Sequence, residues 1–407
     1  MHRCLDEDWF LLDYELKLQR VHAFVLEAAG ILSARECGAV EDALEALSLE
    51  WSGQPPPDST AEDLHTWVEG ELTHRAGSAG EKIHTARSRN DQVATLIKMW
   101  LIDVGDSLAV SWRSLAQTTS RVALAWVPHA MPLMTHAQFA APGSAGAVPL
   151  AHALGYERCA ASFSRAANRW RATCPLGAGA VAGSSIPIDR DMQAEGLGFL
   201  RPAESSIDAT GTRDEALECL ATIAHGSLKL MGTAADLLTF AQTKYRWITF
   251  DPGLTTGSSM MPNKSNPDAC ELLRGTAART SSAHGEAMML SKGLISGYQR
   301  DLQCLKPILH DTVERFRAAT ALAQAIWDGV HLSKDRVSSS LAWGDVGATL
   351  RMEARVLDGM PLRMAHRLEA EGGETEAEHG MDAYVTYGSA HPDEVGRQAK
   401  ALIERTD

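Results

Sequence analysis

The chain has 407 residues, 45% apolar and 22% charged, the make-up of a soluble globular protein too long for one comfortable core, so two or three domains are expected. A formal net charge of −14 argues against a nucleic-acid surface or a polybasic membrane patch, and no apolar run approaches the roughly 20 residues that span a bilayer. Seven cysteines without close pairs fit a reducing cytoplasm better than a disulfide framework and lack zinc spacing, so no metal site is expected. The first residues carry Asp6, Glu7, Asp8 and Asp13 and no apolar stretch of the signal-peptide kind, which again points to a cytoplasmic protein.

In chain order, Pro55-Pro56-Pro57 marks a loop over 52–60 ahead of Glu62-Asp63-Leu64-His65. Val93, Leu96, Ile97, Trp100, Leu101, Val104 and Leu108 then recur at helical spacing, predicting a long helix over 92–126. Residues 128–146, rich in Pro, Gly and small side chains, read as a loop holding Thr135 and His136. Further long helices are expected over 149–171, 215–242, 269–292 and 306–332. Between them, 176–189 is a Gly/Ala/Ser-rich loop. Its Gly177-x-Gly179-x-x-x-Gly183 misses the dinucleotide-binding spacing by one residue and follows no strand, so that reading is rejected. Residues 367–393 are acidic, Gly-rich and expected to be mobile. Strand-type alternation of Val and Ile is scarce, so the fold class is mostly α. The helices exceed the usual three turns, which suggests a long bundle that also packs against partner subunits.

The stretch Gly257-Ser258-Ser259-Met260-Met261-Pro262-Asn263-Lys264-Ser265-Asn266-Pro267 carries the chemistry. Glycine and serines favour a turning backbone with free N–H groups, while Pro262 and Pro267 stiffen its far side. Lys264 and Asn266 bring a cation and an amide, and the helix expected from 269 adds a positive N-terminus. Several such groups are needed. One cation about 4 Å from a developing alkoxide, at an effective dielectric of about 20, contributes roughly 4 kcal/mol. That is about three pK units, short of what an alkyl hydroxyl needs to act as a base near neutrality. Backbone N–H donors and the helix dipole must supply the rest.

This string resembles the signature loop of the fumarase/aspartase superfamily, whose members eliminate fumarate from a succinyl group. Three other segments are similar to the argininosuccinate lyase branch: Lys82-Ile83-His84-Thr85-Ala86-Arg87-Ser88-Arg89-Asn90-Asp91-Gln92, Thr135-His136-Ala137-Gln138, and Tyr298-Gln299-Arg300-Asp301-Leu302-Gln303-Cys304-Leu305-Lys306. The matches keep their order over nearly the whole chain, from Asp8 to His366. The resemblance implies a three-domain fold with boundaries near 90 and 338 (1–90, 91–338 and 339–407). The long helices of the middle domain would form a tetrameric bundle, with each active site shared between subunits of a homotetramer. It implies no cofactor.

The implied reaction is an anti elimination that splits argininosuccinate into arginine and fumarate. It needs a base, clamps on the succinyl carboxylates and an acid for the leaving nitrogen. Ser258 matches the family's base, with Ser259 beside it. Lys264 and Asn266 match its carboxylate clamps, and His136 matches the residue facing the leaving group. Glu271 matches the carboxylate that pairs with that histidine. Whether His136 gives the proton itself, or acts through water or another residue, is open at this stage. Ser88, Arg89 and Asn90 suit the succinyl carboxylates and the amide region, and Thr135 and Gln138 flank His136. Tyr298, Arg300, Gln303 and Lys306 select the branch, holding the amino-acid end of the arginine portion. Arg87 adds local positive charge. His65, in a segment like the family's Glu-Asp-x-His, is either structural or on the substrate side.

Some positions depart from the family's pattern. Its Gly-Gly-Arg-Phe opening is absent, and Cys4 stands where a serine is expected. Ala86 replaces a glycine, Phe139 and Ala140 replace an Arg-Gln pair, Ser205 replaces an asparagine, and so does Gln299. None removes a catalytic group, but several border the part of the site that reads the leaving amine. A fumarate-forming lyase acting on another N-succinyl or aspartate-like substrate is therefore a second reading. A retired enzyme serving as a binding protein is a third.

Overall fold

A computed structural model describes residues 3–372 and 380–406. Of the segment expected to be mobile, 373–379 lie outside the described residues. The chain divides into two compact units, one from residues 1–108, 162–224 and 282–314, the other from 109–161, 225–281 and 315–407. The unit boundaries fall inside five long helices: Arg89–Trp126, Ala147–Trp170, Asp214–Ala241, Asp268–Ser291 and Leu305–Asp328. All five begin and end close to where their apolar stripes place them. In the first, all seven stripe residues named above, from Val93 to Leu108, are buried.

In the first unit, the Leu12–Ala28 and Ala34–Trp51 helices pack together, and the second opens on a capping box between Ser33 and Glu36. Trp9, Trp51 and Trp67 meet edge-on, with ring centroids 5.2–5.9 Å apart. Gly105 lets the long helix approach the Ala147–Trp170 helix, since an added Cβ would lie 2.9 Å from that of Ala167. In the second unit, Trp112 stacks on Phe316 at 5.3 Å and donates from Nε1 to Thr320 Oγ1 at 3.1 Å. The Trp327 indole donates to the Tyr156 hydroxyl at 3.2 Å. Large aromatics with satisfied polar edges thus centre this core.

Two expectations about backbone are corrected. Residues 128–146 are not a loop: Ala130–Thr135 and Gln138–Ser144 form an antiparallel hairpin with a register shift between Leu133 and Met134. Its strands are rich in Pro, Gly and Ala, so no β-branched alternation betrays them. The last long helix stops at Asp328 rather than 332, because Val330–Leu332 pairs instead with Ile248–Phe250. Among the described residues no helix is long and apolar enough to cross a membrane.

Candidate active site

In the first unit, Arg87 to Asp91 lead into the long helix. Ser88 precedes it, its Oγ accepting from the Asn90 N–H at 3.3 Å. The buried Asp91 carboxylate takes three backbone N–H groups, from Ser88 at 2.9 Å, Gly177 at 3.0 Å and Gly179 at 2.8 Å. The 176–189 loop is therefore wrapped on Asp91. Gly179, at φ +64°, has no room for a Cβ, which would sit 2.5 Å from the Gly183 carbonyl oxygen. Asn90 Nδ2 donates to the Ala180 carbonyl at 3.0 Å, so loop and helix start fix each other. Arg89 reaches Glu69 at 3.3 Å, Gln92 at 3.1 Å, Thr66 at 3.3 Å and Asp63 at 3.5 Å.

Arg89, Tyr298, Arg300, Gln303 and Lys306 line one pocket of about 260 Å³, together with His65 and Cys4. Its cations meet carboxylates: Arg300 pairs with Glu62 at 2.7 Å, and Lys306 makes a buried ion pair with Asp8. The Cys4 thiol donates to the other Asp8 oxygen at 3.2 Å. Burial first, then the Asp8 charge, pushes that thiol up to about 12, so Cys4 acts as a donor and not a nucleophile. Arg213 holds its guanidinium carbon 6.0 Å from the centroid of the Tyr298 ring, which steadies the ring from within the protein.

Behind the pocket lies a network that sequence reasoning missed. His65 is buried, and its Nδ1 lies 3.0 Å from a carboxylate oxygen of the fully buried Glu15. Glu15 also accepts from Gln19 at 2.6 Å and Gln92 at 2.5 Å, and Gln19 accepts from Arg87 at 2.8 Å. Burial alone would raise the Glu15 pKa, but His65, Arg87 and Gln19 outweigh it and hold the carboxyl below its usual range. The only sequence signal was Glu15 and Gln19 four residues apart among buried leucines.

In the second unit, Thr135 and Gln138 are opposite one another at the end of the hairpin, and His136 and Ala137 form its two-residue tip. Both tip residues have positive φ, +53° and +57°, as a type I′ turn requires. All four are exposed, which leaves the His136 ring free to meet a ligand or another chain. Directly after the tip, Phe139 packs near Tyr245, Trp247 and Trp343, at centroid distances of 5.9–6.3 Å. An aromatic wall thus stands directly behind the tip.

The Ser258 stretch is closed by a short ladder. Thr256 pairs with Asn266 and Gly257 with Ser265, so 258–264 form a loop pinned at both ends. Inside it, Ser258 Oγ accepts from the backbone N–H groups of Met260 at 3.3 Å and Met261 at 3.0 Å. Both favour a charged oxygen over a neutral one. Lys264, also turned back by a bond from its N–H to the Met261 carbonyl at 3.1 Å, is exposed with Ser259, and Asn266 is half-buried. Thr256 bonds to Asp268, tying the ladder to the first turn of the next helix, where Glu271 sits exposed. Among the described residues no group of His, Cys, Asp and Glu is placed to hold a metal ion.

Known structures share this architecture. An EDDS lyase in complex with formate superposes with a TM-score of 0.84 at 20% identity, covering 97% of this chain and 86% of that one. A class II fumarase from Schistosoma mansoni gives 0.75 at 16% identity, covering 97% and 90%. A 3-carboxy-cis,cis-muconate lactonizing enzyme from Pseudomonas putida gives 0.74 at 18% identity, covering 97% and 93%. At these identities the likeness establishes the fold, which is of the fumarase/aspartase type. A lyase family model matches residues 10–281, two thirds of the sequence and all of the segments around Ser88, His136 and Ser258, and the chain belongs to that lyase family, Lyase_1.

Proposed function

We propose that this lyase splits argininosuccinate into arginine and fumarate, without a cofactor, in the cytoplasm. The observation that carries the reading is Ser258, whose Oγ accepts two backbone N–H groups inside a loop that also bears Lys264 and Asn266. In the proposed reaction Ser258 removes the proton next to a carboxylate of the succinyl group. Lys264 and Asn266 stabilise the negative charge that moves into that carboxylate. The C–N bond then breaks on the opposite face, where His136, paired with Glu271, serves the leaving nitrogen. Ser88, Arg89, Asn90, Thr135, Gln138 and Ser259 hold the succinyl end. Tyr298, Arg300, Gln303 and Lys306 hold the amino-acid end, a role their shared pocket supports.

His136 and Glu271 stand exposed, and the candidate residues are distributed over both units, which supports an active site completed by other subunits of a homotetramer. The division into 1–90, 91–338 and 339–407 belongs to the same proposal.

A second reading keeps the chemistry and changes the substrate to another N-succinyl or aspartate-like compound. The aromatic wall at Phe139 favours it. Fumarate release from argininosuccinate, followed by ultraviolet absorbance, separates the readings. The expected outcome is steady production, reduced at least a hundredfold in Ser258→Ala, the scale of losing a general base. A folded protein silent on argininosuccinate but active on another succinyl compound would establish the second reading. An unchanged rate in Ser258→Ala would remove Ser258 from the mechanism.

A further inference from the structure

One oxygen of Glu69 gathers a whole stretch of chain. On the helix Leu64–Ala76, its Oε1 lies 2.8 Å from His84 Nδ1, 3.3 Å from Arg89 Nη1 and 3.5 Å from Arg87 Nη2. Burial alone would raise the Glu69 pKa, but His84, then Arg89 and Arg87, outweigh it and hold the carboxyl below its usual range. A carboxylate only accepts, so all three nitrogens donate to it, whatever the charge on the histidine ring. The chain between these donors has to turn round that oxygen. It does so at Ala86, whose φ of +62° is a left-handed conformation that an L-residue keeps only where its surroundings impose it. Ser88 stands between the two arginines. Arg87 is fixed further to Gln19 at 2.8 Å, and Arg89 to Gln92 at 3.1 Å and Thr66 at 3.3 Å. One N–H of Arg89 Nη2 has no partner among the described residues, and this side chain lines the pocket of about 260 Å³.

Resting on the reading of Ser88, Arg89 and Asn90 as a clamp on the succinyl end, we propose that Glu69 is the positioning residue of that clamp. It touches no substrate. By drawing His84, Arg87 and Arg89 to one point, it sets where the Ser88 hydroxyl and the open Arg89 N–H stand, so that a dicarboxylate meets both already in place. The sign of the charge separates this role from a purely electrostatic one. A negative charge beside the site repels a dianion, so losing the Glu69 charge would by itself tighten binding. Losing the pin weakens it.

The test is calorimetric titration of the intact protein with succinate, which carries the two carboxylates without the leaving nitrogen. In Glu69→Gln, close in size but uncharged, the succinate Kd should rise about tenfold at undiminished stoichiometry, the scale of hydrogen bonds to a charged group. KM for argininosuccinate should rise by the same factor with little change in kcat. A merely structural role would lower the number of binding sites and leave the affinity of the remainder as it was. That outcome, an unchanged affinity or tighter binding each overturns the proposal. Should Glu69→Gln fail to fold, Glu69→Asp decides. It keeps the charge and draws it back by one methylene, so succinate should again bind more weakly, and an unchanged affinity overturns the assignment. A wild type that binds succinate but releases no fumarate from argininosuccinate ends the substrate reading alone, and the succinate comparison still judges Glu69. An active wild type that binds succinate too weakly to titrate is judged on KM. A wild type that neither binds succinate nor releases fumarate overturns both.

Discussion

Ala86 occupies a conformation that suits glycine. Its φ is +62°, two residues before Ser88 and next to the buried Arg87. An L-residue in the left-handed region costs about 1–2 kcal/mol, while glycine would cost roughly 0.5–1 kcal/mol through the entropy of the unfolded chain. The difference favours glycine. Ala86→Gly is expected to stabilise the protein by about 0.5 kcal/mol, seen as a later urea midpoint with unchanged slope. An earlier midpoint would mean that the surrounding contacts and not the backbone set this turn. His136 tells the opposite story. It also has positive φ, but the side chain is what the position is for, and no smaller residue would serve the chemistry proposed for it.

At the scale of elements, the Leu12–Ala28 helix is fastened to two distant segments through His22. That buried ring contacts the Thr85 carbonyl at 2.9 Å on one side and Gln193 Nε2 at 3.0 Å on the other. Both bonds need a neutral imidazole: Nε2–H donates to the carbonyl, and Nδ1 accepts from the amide. Burial, reinforced by Arg87, brings the His22 pKa down to about 3. The unfolded chain titrates near its ordinary value of about 6.5. Between those values the unfolded state binds more protons, so His22 contributes stability that is fully present above pH 6.5 and is lost as the pH falls towards 3. From pH 7 to pH 5 the wild type is expected to lose about 2 kcal/mol through this group. Urea unfolding of His22→Gln at the two pH values should lack that share of the loss. Equal losses in both proteins would place the pH response elsewhere.

Elements also mark what the sequence could and could not disclose. The five long helices were legible because each repeats a buried stripe every three or four residues, an entirely local signal. The hairpin at 130–144 was not, because Pro, Gly and Ala recur in its strands, and they carry no strand pattern of their own. At the site, Ser258, Lys264 and Asn266 stood out through one contiguous motif. Glu15 did not, because its meaning comes from His65, fifty positions away, and from Gln92 beyond that. Buried polar pairs of this kind exist only in three dimensions.

At the scale of the whole molecule, large apolar side chains stand exposed on the Ser258 loop and the helix after it. Met260 is 86% exposed, Met289 66% and Leu272 64%, the last two on the helix that follows the Ser258 loop. Such surface suits a second copy of the chain. If active sites are completed between subunits, two defects carried on different subunits can be separated by assembly. Ser258→Ala and Lys306→Ala should each be inactive alone. Dissociated and reassembled together, they should recover a measurable fraction of wild-type fumarate release, because some sites receive both intact residues. No recovery from a mixture shown to contain mixed tetramers would mean that Ser258 and Lys306 serve one site from one chain.

The two-residue turn between Thr135 and Gln138 has an evolutionary corollary. Successive residues of a strand point to opposite faces, so a residue added within the returning strand, between Gln138 and Phe139, would turn Phe139 away from Tyr245, Trp247 and Trp343 unless a bulge absorbed it. The hairpin already holds one such irregularity, between Leu133 and Met134. A residue added at the tip between His136 and Ala137 only lengthens the loop and leaves the pairing as it is. Related chains can therefore vary the tip in length while the aromatic wall behind it keeps its facing.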